Sequence, residues 1–523
     1  SNIIAIVISM GAIFLVVVLL IVLICIWRDR AGQGAQKSSG TQSGPLQSLS
    51  QFLPCSSSPS LPGPPSLFII GNMKELAHDH LPIHFTNLAR RYGNIYQLKC
   101  GNTTMVILNS SEVIKEALVK KWSDFAGRPI SYTAGVVSAE RRTISLGDYN
   151  EEWRAHHRLV HSALQRCFHQ SLHDVIERQA LHLRKILMDY EANAVDLSED
   201  FTVAASNVIT SLAFGKEYDK SSPELQQLHS CLNEIVALWG SSWISALDFF
   251  PILRKFPNPV FHRLLKEVAK RDEIIKQHLK NYKAQDKKNG DTITGALLQG
   301  LEKYNNTDEG VLLTDTHVHM ATVDLLIGGT ETNASMMNWI VAFLLHRPEV
   351  QTRVYEELCT VLEGRYPKYS DRHRLPILCS LIDEVLRLRP AAPLALPHRA
   401  IRDSSIAGYF IPKDTVIIPN LFGAHHDPAV WTDPYSFRPE RFLEGGGGST
   451  RALIPFGAGA RLCLGEAVAK MELFLLTAYL LRDFQFVLPE GKSSPPDLRG
   501  VASVVLKIKS YEVIARPRPV TSP

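Results

Sequence analysis

The sequence predicts a mainly α-helical domain with small β-sheets, preceded by a single N-terminal transmembrane helix. Three observations predict it. Residues 3–27 (IIAIVISMGAIFLVVVLLIVLICIW) carry no charge. From about 84 to 385, apolar residues recur at three- and four-residue spacing, the period of a helix facing a core. Short β-like runs stand at 94–100 (NIYQLKC), 104–109 (TMVILN) and 414–420 (DTVIIPN).

At ~1.5 Å per residue, a helix over the uncharged run exceeds the ~30 Å hydrocarbon core of a bilayer. The run ends in Trp27-Arg28-Asp29-Arg30. That is an aromatic and basic stop, not the small-residue site of a cleaved signal peptide. Arg28, Arg30 and Lys37 lie after the span and nothing basic precedes it, so the rest of the chain is expected on the cytoplasmic side. Residues 29–60, rich in Ser, Gly, Gln and Pro, read as a flexible linker. Pro62, Pro64 and Pro65 stiffen the entry to the folded part. With no repeat and few linker-like breaks after 72, residues 61–523 read as one large domain behind an anchor at 1–28.

The net charge of +4 is scattered over 523 residues, too mild and too dispersed for a nucleic-acid partner. The eight cysteines stand singly and form no disulfide framework, which favours a reducing compartment. On the cytosolic side the N-x-S/T matches at Asn102, Asn109, Asn305 and Asn333 are then chance.

One cysteine has an unusual setting. Cys463 lies in PFGAGARLCLGEAV (455–468), with Phe456, Gly457, Gly459, Arg461 and Gly465 around it. A thiolate can be an axial ligand of haem iron, where it favours O–O cleavage. It needs shielding and backbone N–H donors aimed at the sulfur, and glycines let the backbone turn under a flat porphyrin. Arg461 is spaced to meet a haem propionate. The helix beginning after Gly465 directs its N-terminal dipole at the sulfur.

A second anomaly is MATVDLLIGGTETNASMMNWIVAFLL (320–345), apolar enough for a central helix. Yet Asp324, Gly328, Glu331, Thr332 and Ser335 share one face. Buried polar groups are costly unless bonded or used, and each mid-helix glycine costs about 1 kcal/mol against alanine. A kink at Gly328-Gly329 would admit a small molecule, with Glu331 and Thr332 supplying protons. The His pairs 78/80, 317/319 and 425/426 lack the further ligands of a zinc site and read as structural or solvated.

Cys463 in F-G-x-G-x-R-x-C-x-G, preceded by GGTET (328–332), EVLR (384–387) and PERF (439–442), resembles the signatures of the cytochrome P-450 superfamily in their expected order. The resemblance covers roughly residues 61–515. It implies the cytochrome P-450 fold and haem b bound through Cys463. It implies that Thr332 and Glu331 assist oxygen activation, and that Glu384, Arg387 and Arg441 lock the core behind the haem. Arg128, Trp153, His398 and Arg461 would face the haem. Where the family carries Lys or Arg four residues after that tryptophan, this chain has His157, with Arg158 next, and either could meet the propionate.

Within the superfamily, VKKWSDFAGRP (119–129), SLGDY (145–149) and PLALPHR (393–399) are similar to steroid hydroxylases of the endoplasmic reticulum membrane. That implies an NADPH–cytochrome reductase as electron donor and progesterone or 17-hydroxyprogesterone as substrate. Arg254 would donate to the steroid's 3-keto oxygen, with Asp324, Gly328 and Ala392 lining the pocket. The resemblance implies hydroxylation at carbon 21; hydroxylation at carbon 17, or steroid binding without turnover, are the alternatives. A proton relay at Glu331-Thr332 argues against the second.

Overall fold

Helix formation obeys the apolar period and local capping. In the computed structural model, seven helices frame the region around the cysteine loop. They are α1 (Leu81–Tyr92), α2 (Glu151–Gln170), α3 (Ser198–Phe214) and α4 (Asp315–His346). After them come α5 (Pro348–Leu362), α6 (Pro376–Leu388) and α7 (Glu466–Asp483). The Asn150 side chain caps α2 by accepting from Trp153 N at 2.8 Å. Glu357 on α5 caps α6, accepting from Ile377 N at 2.8 Å and Leu378 N at 3.0 Å.

The three β-like runs join in one sheet. β1 (Ile95–Cys100) and β2 (Thr103–Leu108) form an antiparallel hairpin; β3 (His398–Arg399) and β4 (Val416–Pro419) complete the order β1-β2-β4-β3. β2 runs parallel to β4 in the register Met105↔Val416 to Leu108↔Pro419. Both strands bury side chains on both faces, as a parallel pair requires.

The structure describes residues 60–67, 70–284, 292–306, 312–444, 451–492 and 494–519, all within a unit spanning 58–523. The anchor read at 1–28 and nearly all of the 29–60 linker lie outside the described residues. Among the described residues no helix is long and apolar enough to cross a membrane.

α4 packs along α3 and against α7 at the centre of the largest apolar cluster, with Trp339 and Leu344 fully buried. It runs unbroken from Asp315 to His346, through the Gly328-Gly329 pair. Gly329 serves close packing: a Cβ there would sit 2.4 Å from the Ile209 side chain of α3. Gly328 faces open space.

Behind this core, Glu384 and Arg387 are fully buried on α6. Arg387 meets Glu384 in a two-bond fork at 2.8 Å each, and Arg441 Nε donates to the same carboxylate at 3.1 Å. The two guanidiniums also donate to backbone carbonyls of His425, Thr432, Pro434 and Ser436. His425 in turn accepts Ile454 N at 3.0 Å through Nε2. That chain of bonds ends one residue before the cysteine loop.

Candidate functional site

The cysteine loop is shaped by its own backbone. Cys463 N donates to Phe456 O at 3.1 Å, closing the turn. Gly459 has φ +71, and a Cβ on it would overlap Leu118 O at 1.6 Å. The Cys463 side chain is accessible from one side, yet enough protein surrounds it that burial raises the thiol above its ordinary value. The N–H groups of Gly465 and Glu466, at the start of α7, pull the other way and favour thiolate.

Beside this loop lie two guanidiniums. Arg461 donates from Nε to Ala126 O at 2.9 Å, from Nη1 to Ile144 O at 3.2 Å and from Nη2 to Gly147 O at 2.7 Å. Its guanidinium carbon lies 4.0 Å from the centre of the Trp153 ring. Arg128 donates to Ser145 O at 2.8 Å, Leu396 O at 3.0 Å and Pro397 O at 2.9 Å. Among the described residues, neither side chain is hydrogen-bonded to a carboxylate. Burial first, and Arg128 second, push Arg461 down to about 8; burial brings Arg128 to about 10.

His398 donates from Nδ1 to Phe125 O at 2.9 Å, and burial together with Arg128 pushes it well below its ordinary value. Two desolvated, mutually repelling guanidiniums and an imidazole form an electrostatic well for an anion.

The contacts expected around Trp153 resolve unevenly. Trp153 spends its indole N–H on Ile144 O at 2.9 Å, so it acts on the site by supporting Arg461. His157 is half-buried with its ring 4.7 Å from that of Trp153. Burial, His161 and Arg461 lower it. Arg158 is exposed.

The polar stripe on α4 is fully engaged. Asp324 accepts from Ile144 N at 2.6 Å and from the Ser145 hydroxyl at 2.5 Å, and burial raises it to about 6. It thus holds the segment whose carbonyls orient both arginines. Thr332 donates to Gly328 O at 2.5 Å, on the open side of the helix. Glu331 pairs with Lys507, and Ser335 donates to Leu506 O at 2.8 Å, so both face strand β5 (Leu506–Lys507).

Two predicted pocket residues are less drawn in. Arg254 is exposed, donating to Leu247 O at 2.8 Å with its guanidinium 4.6 Å over Tyr132. Ala392 lies half-buried in the turn closed by Ala395 N.

Sequence reasoning missed Glu472. It is fully buried on α7, accepts from Asn333 Nδ2 at 2.6 Å, and its Oε1 has no partner among the described residues. Asn333 adjoins Thr332, so this bond ties the Glu331-Thr332 segment to the helix that starts at the cysteine loop. A glutamate inside the apolar run of α7 was the available signal.

Residues 61–515 match the cytochrome P-450 family, and the chain belongs to it. It is a haem-thiolate monooxygenase. Human steroid 21-hydroxylase is 43% identical over 457 residues, covering 85% of this chain and 90% of the relative. The pig enzyme of that name is 40% identical, covering 86% and 92%, and the mouse one 41%, covering 84% and 89%. A zebrafish cytochrome P-450 solved with progesterone superposes with TM-score 0.75 at 33% identity, covering 84% of this chain and 99% of that one. The same comparison with an abiraterone-bound zebrafish structure gives 0.74 at 33%, covering 84% and 100%.

The residues present fit the family's haem. Cys463 offers a sulfur with two N–H donors aimed at it, and Arg128 and Arg461 supply the positive well that two propionates would fill, with the His398 imidazole beside them. With Nδ1–H committed to Phe125 O, His398 would meet a propionate only through a second proton on Nε2, which an adjacent anion would favour.

Proposed function

We propose that this chain is a steroid 21-monooxygenase of the endoplasmic reticulum membrane. It hydroxylates carbon 21 of progesterone and 17-hydroxyprogesterone, giving 11-deoxycorticosterone and 11-deoxycortisol. The observation that carries the reading is 43% identity to human steroid 21-hydroxylase across 85% of the chain, with Cys463 and its arginine well intact. One C–H bond of the terminal methyl becomes C–OH with one atom of dioxygen. The other atom leaves as water, with two electrons that NADPH supplies through the cytosolic reductase and two protons, one of them from solvent.

Bound haem supplies the oxygen activation and the C–H oxidation. The residues of this chain do the rest. Arg128, His398 and Arg461 hold the propionates, with His157 as a further donor. Cys463 holds the iron. Thr332, its hydroxyl on Gly328 O, presents a proton to the open side of α4, and Glu331 replenishes it through its pair with Lys507. Arg254 releases Tyr132 to donate to the steroid 3-keto oxygen, while Ala392, Asp324 and Gly328 bound the apolar pocket.

The test is turnover with reductase, NADPH and progesterone, with the product analysed by mass spectrometry. 21-Hydroxylation carries the reading, and 17-hydroxylation or no product sinks it. Arg254→Ala is expected to weaken steroid binding roughly tenfold or more, the worth of a charged hydrogen bond. Unchanged steroid-induced spin shifts in that variant would remove Arg254 from the pocket.

A further inference from the structure

His78 lacks partners in the sequence. The fold supplies them. The turn Met73–Leu76 and the start of α1 fold back on each other. Glu75, His78 and His84 thereby each offer a ligand atom within 4.8 Å of the others. Glu75 is only 8% exposed, and its Oε2 stands 2.7 Å from His84 Nε2. The rings of His78 and His84 stack at 3.5 Å between centroids and 17° between planes. A hydrogen-bonded Glu–His pair needs one imidazole. The second, exposed and laid against the first, is surplus to it.

We propose that Glu75, His78 and His84 form a binding site for a zinc-class divalent cation. Two imidazole nitrogens and a carboxylate oxygen, with water in the open fourth position, are a donor set that zinc accepts. Zinc bonds of 2.0–2.2 Å set tetrahedral donors about 3.3 Å apart. The present spread closes by turning His78, which stands at the surface, and by exchanging the His84–Glu75 hydrogen bond for the metal. Lys74, 3.5 Å from Glu75 Oε1, is the competing cation, and its exposed side chain can swing into solvent. The ion would staple the first turn of the folded domain to α1, and it lies outside the oxygenase chemistry.

A second cluster, His173, Asp174 and Glu177, serves as the comparison. There Glu177 already accepts from Tyr479 at 2.7 Å.

The experiment uses the full-chain holoprotein, purified without a polyhistidine tag and stripped by chelator. It is dialysed against Zn²⁺ at several concentrations, and zinc is measured against haem iron by mass spectrometry. Wild type is expected to carry about one zinc per chain, with His78→Ala and Glu75→Gln binding it roughly tenfold more weakly or worse. His78 is exposed, so its variant should keep an unchanged reduced carbon-monoxide band, which checks the fold. Equal zinc in wild type and His78→Ala, or loss only in His173→Ala, would overturn the site.

Discussion

The residues that define the site differ in how they meet the cost of burial. Arg128 and Arg461 are held by carbonyls and by an aromatic face, which fixes their direction without neutralising them. Thr332 keeps its hydroxyl on the helix's own carbonyl, where it can rotate outward. Thr332→Ala is expected to retain the thiolate carbon-monoxide band and steroid binding. It should lower product per NADPH roughly tenfold to a hundredfold, with peroxide made instead. Unchanged coupling would exclude the relay role.

Glu472 carries a pH signature. Burial lifts it from 4.5 to about 8, so the folded state holds a proton that the unfolded state releases. The stability this contributes is complete below about 4.5 and is lost as pH rises through about 8. Melting temperature should therefore fall across that window, and Glu472→Gln should flatten the slope while keeping a partner for Asn333. A wild-type profile as flat as the variant's would show that the carboxyl is not protonated.

At the scale of elements, two glycines decide how closely neighbours approach. Gly329 lets α3 and α4 touch at Ile209, and Gly459 lets the cysteine loop pass under Leu118 O. Gly459→Ala meets both the positive φ and a backbone oxygen that cannot yield. The expected result is a folded domain with most of its haem lost, read as a fall in the Soret-to-280 nm ratio. Full haem occupancy would show that the loop can re-form. On the sequence, the α4 stripe is one polar helix face beside a glycine pair that would admit a small molecule. In three dimensions it divides, with Asp324 clasping the 144–145 segment while Glu331 and Ser335 turn toward β5.

At the scale of the whole molecule, one buried network joins distant parts of the chain. Glu384 accepts from Arg387, Arg441 and Arg438 N, and Arg387 passes the restraint through His425 to Ile454. Removing one partner leaves an uncompensated buried charge, a loss of about 3–5 kcal/mol. Glu384→Ala should therefore lower the unfolding free energy by that amount in a denaturant titration and release haem, although Glu384 makes no contact with the site's arginines. A stability within about 0.5 kcal/mol of wild type would mark the network as dispensable.

What could be read from the chain alone was whatever rests on local spacing. The helical period, the three β-like runs and the ten-residue frame around Cys463 are short-range patterns, and each reappears in the fold. The locking role of Glu384, Arg387 and Arg441 came from the family resemblance, because three-residue spacing marks Glu384 and Arg387 only as an ordinary helical pair and Arg441 reaches them only across a loop. Three-dimensional packing alone decided the rest. That Trp153 carries Arg461 and Asp324 holds a loop depends on contacts between residues far apart in sequence. So does the pairing of Glu472 with Asn333, and the convergence of Glu75 and His84 on His78. Periodicity reports which face of an element is apolar; which polar group waits on the neighbouring element is settled only when the two pack.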